Sequence, residues 1–195
     1  MIIVGLTGSI AMGKSTVAKQ FEACGAAICN SDVLVHRLLG EDGEAVKPVG
    51  RLFPAALKDG YIDRKTLGSE VFGNDEKMKK LEAVLHPLVH KYQDKFIRLA
   101  RIWKKCMVVL DIPLLFETHA EKRCDYTVVV SAPYFLQKQR ALTRRMTEER
   151  FKTILSRQMK NSEKIKRADF VIHTGLGKHH SLKMVRGILR RISRS

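Results

Sequence analysis

The 195-residue sequence lacks any apolar run approaching the roughly 20 residues that a membrane-spanning helix requires. It also lacks a signal-peptide pattern, because the apolar stretch at residues 1–5 is short and leads directly into a motif. We therefore expect neither a membrane span nor a cleaved leader, no membrane partner, and a cytoplasmic location.

Cysteine is scarce, and its spacing excludes two uses of it. The sequence shows no CxxC pair and no metal-ligand spacing among its four cysteines, Cys24, Cys29, Cys106 and Cys124. They are typical of reduced, mostly buried thiols in a cytosolic protein.

Acidic residues are also scarce: 20 of them face 36 Lys and Arg, for a net charge of +16. Such an excess of positive charge is typical of a protein that binds nucleic acid, an anionic membrane or a polyanionic small molecule. The basic residues concentrate in two helical patterns, at 137–168 and 178–195. For the second pattern, a solvated helix face is an equal alternative. Because no RNA-binding aromatic motif is recognisable, we expect no nucleic-acid partner.

The hydrophobic pattern predicts one α/β domain over residues 1–195. A β-branched run at 2–5, a helical pattern at 14–24 ended by Gly25, and a second strand at 26–30 begin a parallel sheet. Further strands are expected at 107–111, 126–131 and 170–173, with helices at about 135–145, 147–159 and a last helix whose apolar stripe packs on the core.

The middle of the chain differs, since residues 33–105 are mostly helical apart from a turn at 58–60. So long a helical insertion between strands predicts an inserted lobe. Pro87 is expected to kink or divide the helix that contains it.

Gly8-Ser9-Ile10-Ala11-Met12-Gly13-Lys14-Ser15 fits the phosphate-loop pattern GxxxxGK[ST] at every fixed position. The glycines let successive N–H groups surround a phosphate, and the following helix directs its positive end at the same anion. Lys14 would reach the β- and γ-phosphates of ATP, and the Ser15 hydroxyl would ligate Mg²⁺. The alternative is a purely structural turn. The predicted nucleotide-binding residues are Gly8, Ala11, Met12, Gly13, Lys14, Ser15 and Thr16.

The loop does not identify the reaction, because GTPases, motor proteins and kinases share it. The chain has neither the NKxD nor the DxxG segment of a GTPase, and it is short for a motor protein. A small-molecule kinase needs an acceptor pocket, a carboxylate near the acceptor hydroxyl and a basic lid.

Three residues are candidates for the acceptor and metal sites. Asp32 follows the second strand and could take the proton of an attacking hydroxyl, or could cap the next helix. Thr7 could offer its hydroxyl to the same space, or make a turn hydrogen bond. Asp111 ends a strand and suits a magnesium-associated carboxylate; it and the later Glu117 could instead cap helices.

Arg140 and Arg144 are four residues apart and share a helix face, with Arg145 beside them. Guanidinium groups so placed can bind phosphate oxygens and neutralise developing charge. The downstream cations Arg157, Lys160, Lys164, Lys166 and Arg167 extend the same sign. We predict a helical lid over about 135–168, with a solvated surface as the alternative.

These residues resemble the dephospho-CoA kinase family over nearly the whole chain. The resemblance rests on the phosphate loop and on four ordered segments: DGYIDR at 59–64, LE with HPLV at 81–89, PLLFE at 113–117, and Gln137 with the two lid arginines. It implies a three-layer P-loop kinase fold: a parallel sheet flanked by helices, a helical acceptor-binding lobe and a helical lid.

The resemblance also implies transfer of the γ-phosphoryl group of ATP to the ribose 3′-hydroxyl of dephospho-CoA, with Mg²⁺. Asp32 matches the family's proposed base, while Thr7, Lys14 and Arg140 match its polar active-site residues. A nucleoside or nucleotide kinase of the same architecture, or a basic RNA-binding NTPase, is the alternative.

Three segments depart from the pattern of that family. Asn30 replaces the first aspartate of Asp-x-Asp, Ala11-Met12 replace smaller loop residues, and His173-Thr174 replace Asp-Asn. The last pair lies in a segment expected near the adenine.

Overall fold

This computed structural model describes residues 1–193, and most of it is built around one five-stranded sheet. The strands are β1 (Ile2–Thr7), β2 (Ala27–Asn30), β5 (Met107–Asp111), β6 (Tyr126–Ser131) and β7 (Phe170–His173), and their order across the sheet is β2-β5-β1-β6-β7. The pairs β1–β5, β1–β6 and β6–β7 are parallel. The predicted α/β fold with a helix-flanked parallel sheet is confirmed.

Most connections between these parallel strands contain at least one α-helix, as crossovers of a parallel sheet usually do. The bounds of the helices, in chain order, are α1 (Lys14–Ala23), α2 (Ser31–Leu39), α3 (Val46–Leu52), α4 (Arg64–Val71), α5 (Asp75–Ile102), α6 (Tyr134–Thr143), α7 (Glu148–Arg157), α8 (Asn161–Arg167) and α9 (Lys178–Ile192). A short hairpin joins β3 (Leu57–Lys58) to β4 (Tyr61–Ile62) through the predicted turn.

The chain divides into two compact units, one formed by Met1–Cys29 with the chain from Ala100 onward, and one by Asn30–Leu99. In the first unit both faces of the sheet are covered, as the apolar strands require. One face packs on α1 and α9 in a core that includes Val4, Phe21 and Val185. On the other, Gly5 lies so close to Leu115 and Cys124 that a Cβ would approach the Cys124 Sγ to 2.8 Å.

The second unit has its own apolar core, built from α2 to α5 around buried residues such as Phe53, Ile62 and Leu81. Pro87 lies inside α5, which continues to Ile102. The expectation that this proline could divide the helix is therefore wrong.

Asn30 begins α2 as its N-cap, and its Oδ1 accepts a hydrogen bond from the Val33 N–H at 3.0 Å. Asp32 lies one residue into the helix, in its first turn, with an exposed side chain. The alternative in which Asp32 caps this helix is therefore wrong, and its carboxylate is not committed to that hydrogen bond.

The cysteines are unpaired, as predicted, but their burial differs from the expectation. Of the four, Cys29 is buried, Cys24 and Cys124 are half-buried, and Cys106 is exposed. Burial raises the pKa of the Cys29 thiol to about 11 and that of the Cys124 thiol to about 12. Within residues 1–193, no helix is long and apolar enough to cross a membrane.

The cap predicts a matched pair of variants. Asn30→Ala removes the hydrogen-bond acceptor and should lower the free energy of unfolding by about 1 kcal/mol, whereas Asn30→Asp keeps an acceptor and should stay near wild type. Urea unfolding followed by circular dichroism measures both. Equal stability of the alanine and aspartate variants would contradict the assignment of the cap.

The thiols predict a labelling pattern. At about pH 8 an aromatic disulfide reagent should modify Cys106 fastest, because only thiolates react and the raised pKa values keep Cys29 and Cys124 protonated. The fast phase of labelling should vanish in Cys106→Ser. A fast phase should reappear in that variant only after unfolding has exposed the remaining thiols. A fast phase unchanged by that substitution would show that another thiol reacts.

Candidate active site

The phosphate loop leaves the sheet between β1 and α1 with the backbone its glycines allow. Gly13 adopts a left-handed conformation, with φ 95°, and its carbonyl accepts the first N–H bonds of α1, from Thr16 and Val17. Gly8 is buried so tightly that a Cβ would lie 2.8 Å from the Val130 carbonyl oxygen. Both fixed glycines are thus required by conformation or by space.

Ala11 and Met12, the two unusual loop residues, turn their side chains into the protein. Ala11 has φ 59°, a left-handed angle unusual outside glycine, and its methyl group packs with Ala141 and Phe151 of the neighbouring helices. Met12 is 3% exposed, and its sulfur accepts the Ala132 N–H at 3.0 Å. Only their backbone can contact a nucleotide.

Two glutamines fix the loop at Ile10. The Gln158 side-chain oxygen accepts the Ile10 N–H at 3.1 Å, and the Gln137 side-chain amide donates to the Ile10 carbonyl at 2.8 Å. Gln137 lies on α6, and Gln158 follows α7. The loop is therefore tied to the two helices for which the sequence predicted a lid.

Lys14 and Asp111 form an ion pair across the sheet edge. Asp111 is 1% exposed and Lys14 14% exposed. Since β1 and β5 are parallel, with Leu6 opposite Asp111, the end of β5 lies at the edge from which the loop departs. A buried carboxylate beside this lysine orients its ammonium group, and such an oxygen can serve as a ligand to a hard cation.

A second polar cluster lies beneath the loop, around the Pro113 carbonyl. The Thr7 hydroxyl donates to it at 2.9 Å, and the Lys164 ammonium approaches it at 3.3 Å. Lys164, fully buried, also pairs with Glu117 at 2.8 Å. Glu117 accepts the Met159 N–H as well, at 3.0 Å.

These contacts change the interpretation of the downstream cations. Lys164 is fully buried in its ion pair, so its charge does not extend an exposed basic surface. Arg167 pairs with Glu121 at 2.9 Å and lies 4.8 Å over the Phe116 ring. Thr7, also fully buried, gives its hydroxyl to a neighbouring segment instead of projecting it into open space.

A cavity of about 240 Å³ opens beside the loop, and three cations face it. Its lining residues come from the loop and α1, from the end of α6, and from the segment before α9 with the first turn of that helix: Gly13, Thr16, Arg140, Arg144, Thr174, Gly177, Lys178 and Ser181. The predicted Arg140 and Arg144 therefore lie together next to the loop. The position suits a nucleotide whose phosphates occupy the loop.

The wall formed by Gly177, Lys178 and Ser181 was not among the predicted site residues. Gly177 is the N-cap of α9, with φ 91°, and the first turn of the helix lines the cavity. The sequence signal was weak, since the glycines at 175 and 177 mark only a turn before a basic helix.

In the second unit the candidate base Asp32 is exposed on the first turn of α2. Behind it, the buried Ser31 hydroxyl accepts a hydrogen bond from the Gln93 side chain at 3.1 Å, which ties α2 to α5. His86 stacks with His90 one helical turn away, with ring centroids 6.4 Å apart.

Comparison with known proteins places the chain among named relatives. The family model described as dephospho-CoA kinase matches residues 2–177. A dephospho-CoA kinase of Agrobacterium fabrum is 45% identical over 193 residues, covering 98% of each chain. Among solved structures, a Thermus thermophilus protein has a TM-score of 0.86 at 34% identity, covering 97% of each chain. A Campylobacter jejuni dephospho-CoA kinase has a TM-score of 0.72 at 29% identity, covering 98% of this chain and 97% of its own.

The buried ion pair predicts a large loss of stability in Lys164→Met, about 3 kcal/mol, because Glu117 is left without its cation. The double variant with Glu117→Gln should recover most of the loss, since the amide still accepts the Met159 N–H and carries no charge. Urea denaturation of the three proteins measures this. A double variant no more stable than Lys164→Met alone would contradict the explanation.

Proposed function

The chain belongs to the dephospho-CoA kinase family, and we propose that it transfers the γ-phosphoryl group of ATP to the ribose 3′-hydroxyl of dephospho-CoA, giving CoA and ADP. The observation that carries the proposal is the phosphate loop, with its Lys14–Asp111 pair, beside a cavity faced by three cations at one sheet edge. ATP, a polyanion, requires such an arrangement.

The loop backbone and Lys14 bind and orient the phosphates of ATP. Arg140 and Arg144 face the cavity from the end of α6 and neutralise charge that develops on the transferred group. Because the loop is fixed at Ile10 by Gln137 and Gln158 before a ligand binds, little rearrangement is needed at the moment of transfer.

The residues present fit Mg²⁺, which prefers oxygen ligands and is held by few protein groups together with substrate phosphates. Ser15 lies exposed in the first turn of α1, and the buried Asp111 carboxylate lies at the adjoining strand end. These two residues would hold the ion. When bound, it neutralises phosphate charge and favours departure of ADP.

Asp32 serves as the base in this proposal. It accepts the proton of the ribose 3′-hydroxyl as that oxygen attacks the γ-phosphorus and the bond to the β–γ bridging oxygen breaks. Support comes from its place directly after β2 and from the cap by Asn30, which leaves the Asp32 carboxylate available. The acceptor lobe of residues 33–105, the lid of 135–168 and the cytoplasmic location stay predictions.

Thr7 holds a supporting role in the same proposal. Its hydroxyl fixes the Pro113 carbonyl beneath the loop, which positions the segment that follows Asp111. We therefore expect Thr7 to act by keeping the segment after Asp111 in position.

Asp32→Asn should reduce kcat for CoA formation by about 10²–10⁴-fold, the usual contribution of a general base, because the amide cannot accept the proton. The dissociation constant for a non-hydrolysable ATP analogue, measured by calorimetry, should stay within about threefold of wild type. Glu41→Gln, at an exposed acid of the same unit, is the matched control and should leave kcat unchanged.

Folded protein with ATP and Mg²⁺ that forms no CoA from dephospho-CoA would overturn the proposed acceptor. A nucleoside or nucleoside monophosphate used far faster than dephospho-CoA would instead assign the alternative kinase function. Full activity of Asp32→Asn would leave the reaction in place and refute only its base.

A further inference from the structure

Thr174 follows β7 and is held in place by the sheet. Its N–H donates to the Ser131 carbonyl at 2.9 Å, which extends the β6–β7 pairing by one residue. The residue is 7% exposed. Its position is therefore set by the strand ladder and not by a ligand.

The Thr174 hydroxyl contacts the phosphate loop. It donates to the Met12 carbonyl at 2.6 Å, with the Ser131 carbonyl at a longer 3.4 Å. The loop is also close to Thr174 at Gly13, where a Cβ would lie 3.2 Å from the Thr174 hydroxyl oxygen. The loop thus rests against Thr174 at its last turn before α1.

Thr174 also binds both terminal nitrogens of the Arg140 guanidinium. Nη1 donates to the Thr174 hydroxyl at 3.1 Å, and Nη2 donates to the Thr174 carbonyl at 2.8 Å. A hydroxyl has one hydrogen to donate and two lone pairs to accept, so it can serve Met12 and Arg140 together. Two parallel N–H bonds fix the plane of the guanidinium as well as its distance.

This arrangement has an energetic consequence for the cavity that Arg140 lines. A free arginine side chain loses rotamer entropy when a ligand immobilises it. Thr174 orders the side chain beforehand, so a nucleotide meets a cation already in place. Among the described hydrogen bonds, Arg140 and Thr174 have no acidic partner. The positive charge of Arg140 therefore stays available to an anion.

We propose that Thr174 is a positioning residue for ATP: it joins the phosphate loop to Arg140 and holds that cation at the nucleotide cavity before ATP binds. The inference rests on the proposed function, because it assigns the cavity to the nucleotide. It concerns binding of ATP and is independent of the acceptor.

Thr174→Ser and Thr174→Ala form a matched pair, since both lose the methyl group and only serine keeps the hydroxyl. The probe is a non-hydrolysable ATP analogue with Mg²⁺, and calorimetry measures its dissociation constant. We expect alanine to bind about tenfold more weakly than serine, the loss typical of one hydrogen bond to a charged group. In turnover, KM for ATP should rise by a similar factor while KM for dephospho-CoA stays unchanged.

A double-mutant cycle with Arg140→Ala separates positioning from mere packing. If Thr174 acts through Arg140, the serine–alanine difference should shrink to less than about twofold in the Arg140→Ala background. A difference that persists there would show that Thr174 acts only on the loop through Met12 and would overturn the proposal. Equal affinity of the serine and alanine variants in the wild-type background would overturn it too.

Two controls keep the outcome readable. Thermal unfolding of each variant checks that the fold survives; if the alanine variant does not fold, Thr174→Val, which keeps the shape and loses the hydroxyl, replaces it. If both fail to fold while serine folds, the hydroxyl serves stability first and the positioning role is refuted. Because the analogue binds without an acceptor, failure to make CoA would not alter this result, and the two proposals can fail separately.

Discussion

The parallel pairing of β1 with β5 and β6 is the constraint on which the site depends. It brings the ends of the strands to one edge of the sheet, where the phosphate loop, Asp111 and Ser131 leave the ladder. The register that sets Leu6 opposite Asp111 also brings Lys14 to that carboxylate. A slip of one residue would turn the carboxylate to the opposite face and leave a buried charge without a partner.

The loop is held by contacts on several sides. Gln137 and Gln158 bind Ile10, Thr174 supports Met12, and the Ala11 methyl packs between helices. Each contact reduces the freedom of the backbone whose N–H groups must surround a phosphate. A site prepared in this way loses less entropy on binding and needs less rearrangement during transfer.

Local sequence patterns predicted the strands and helices well. They did not predict side-chain burial that depends on a partner far away in the chain. Periodicity located every strand of the large sheet to within two residues at each end, since a strand signal is contained in four to six adjacent side chains. Lys164 looked like one more lid cation, because burial depends on Glu117, 47 positions earlier in the chain. Pro87 was expected to kink or divide its helix, and α5 continues through it to Ile102, so the helix is not divided.

The sequence by itself determined the phosphate loop, the order of the elements and the family, because these lie in spacings and short segments. Only the tertiary structure decided which side chains of those segments meet. Met12 turns inward, Thr174 binds Arg140, and Lys14 binds Asp111. The physical reason is that a spacing fixes a local backbone, whereas a contact between residues far apart in the chain exists only once the sheet has set their register.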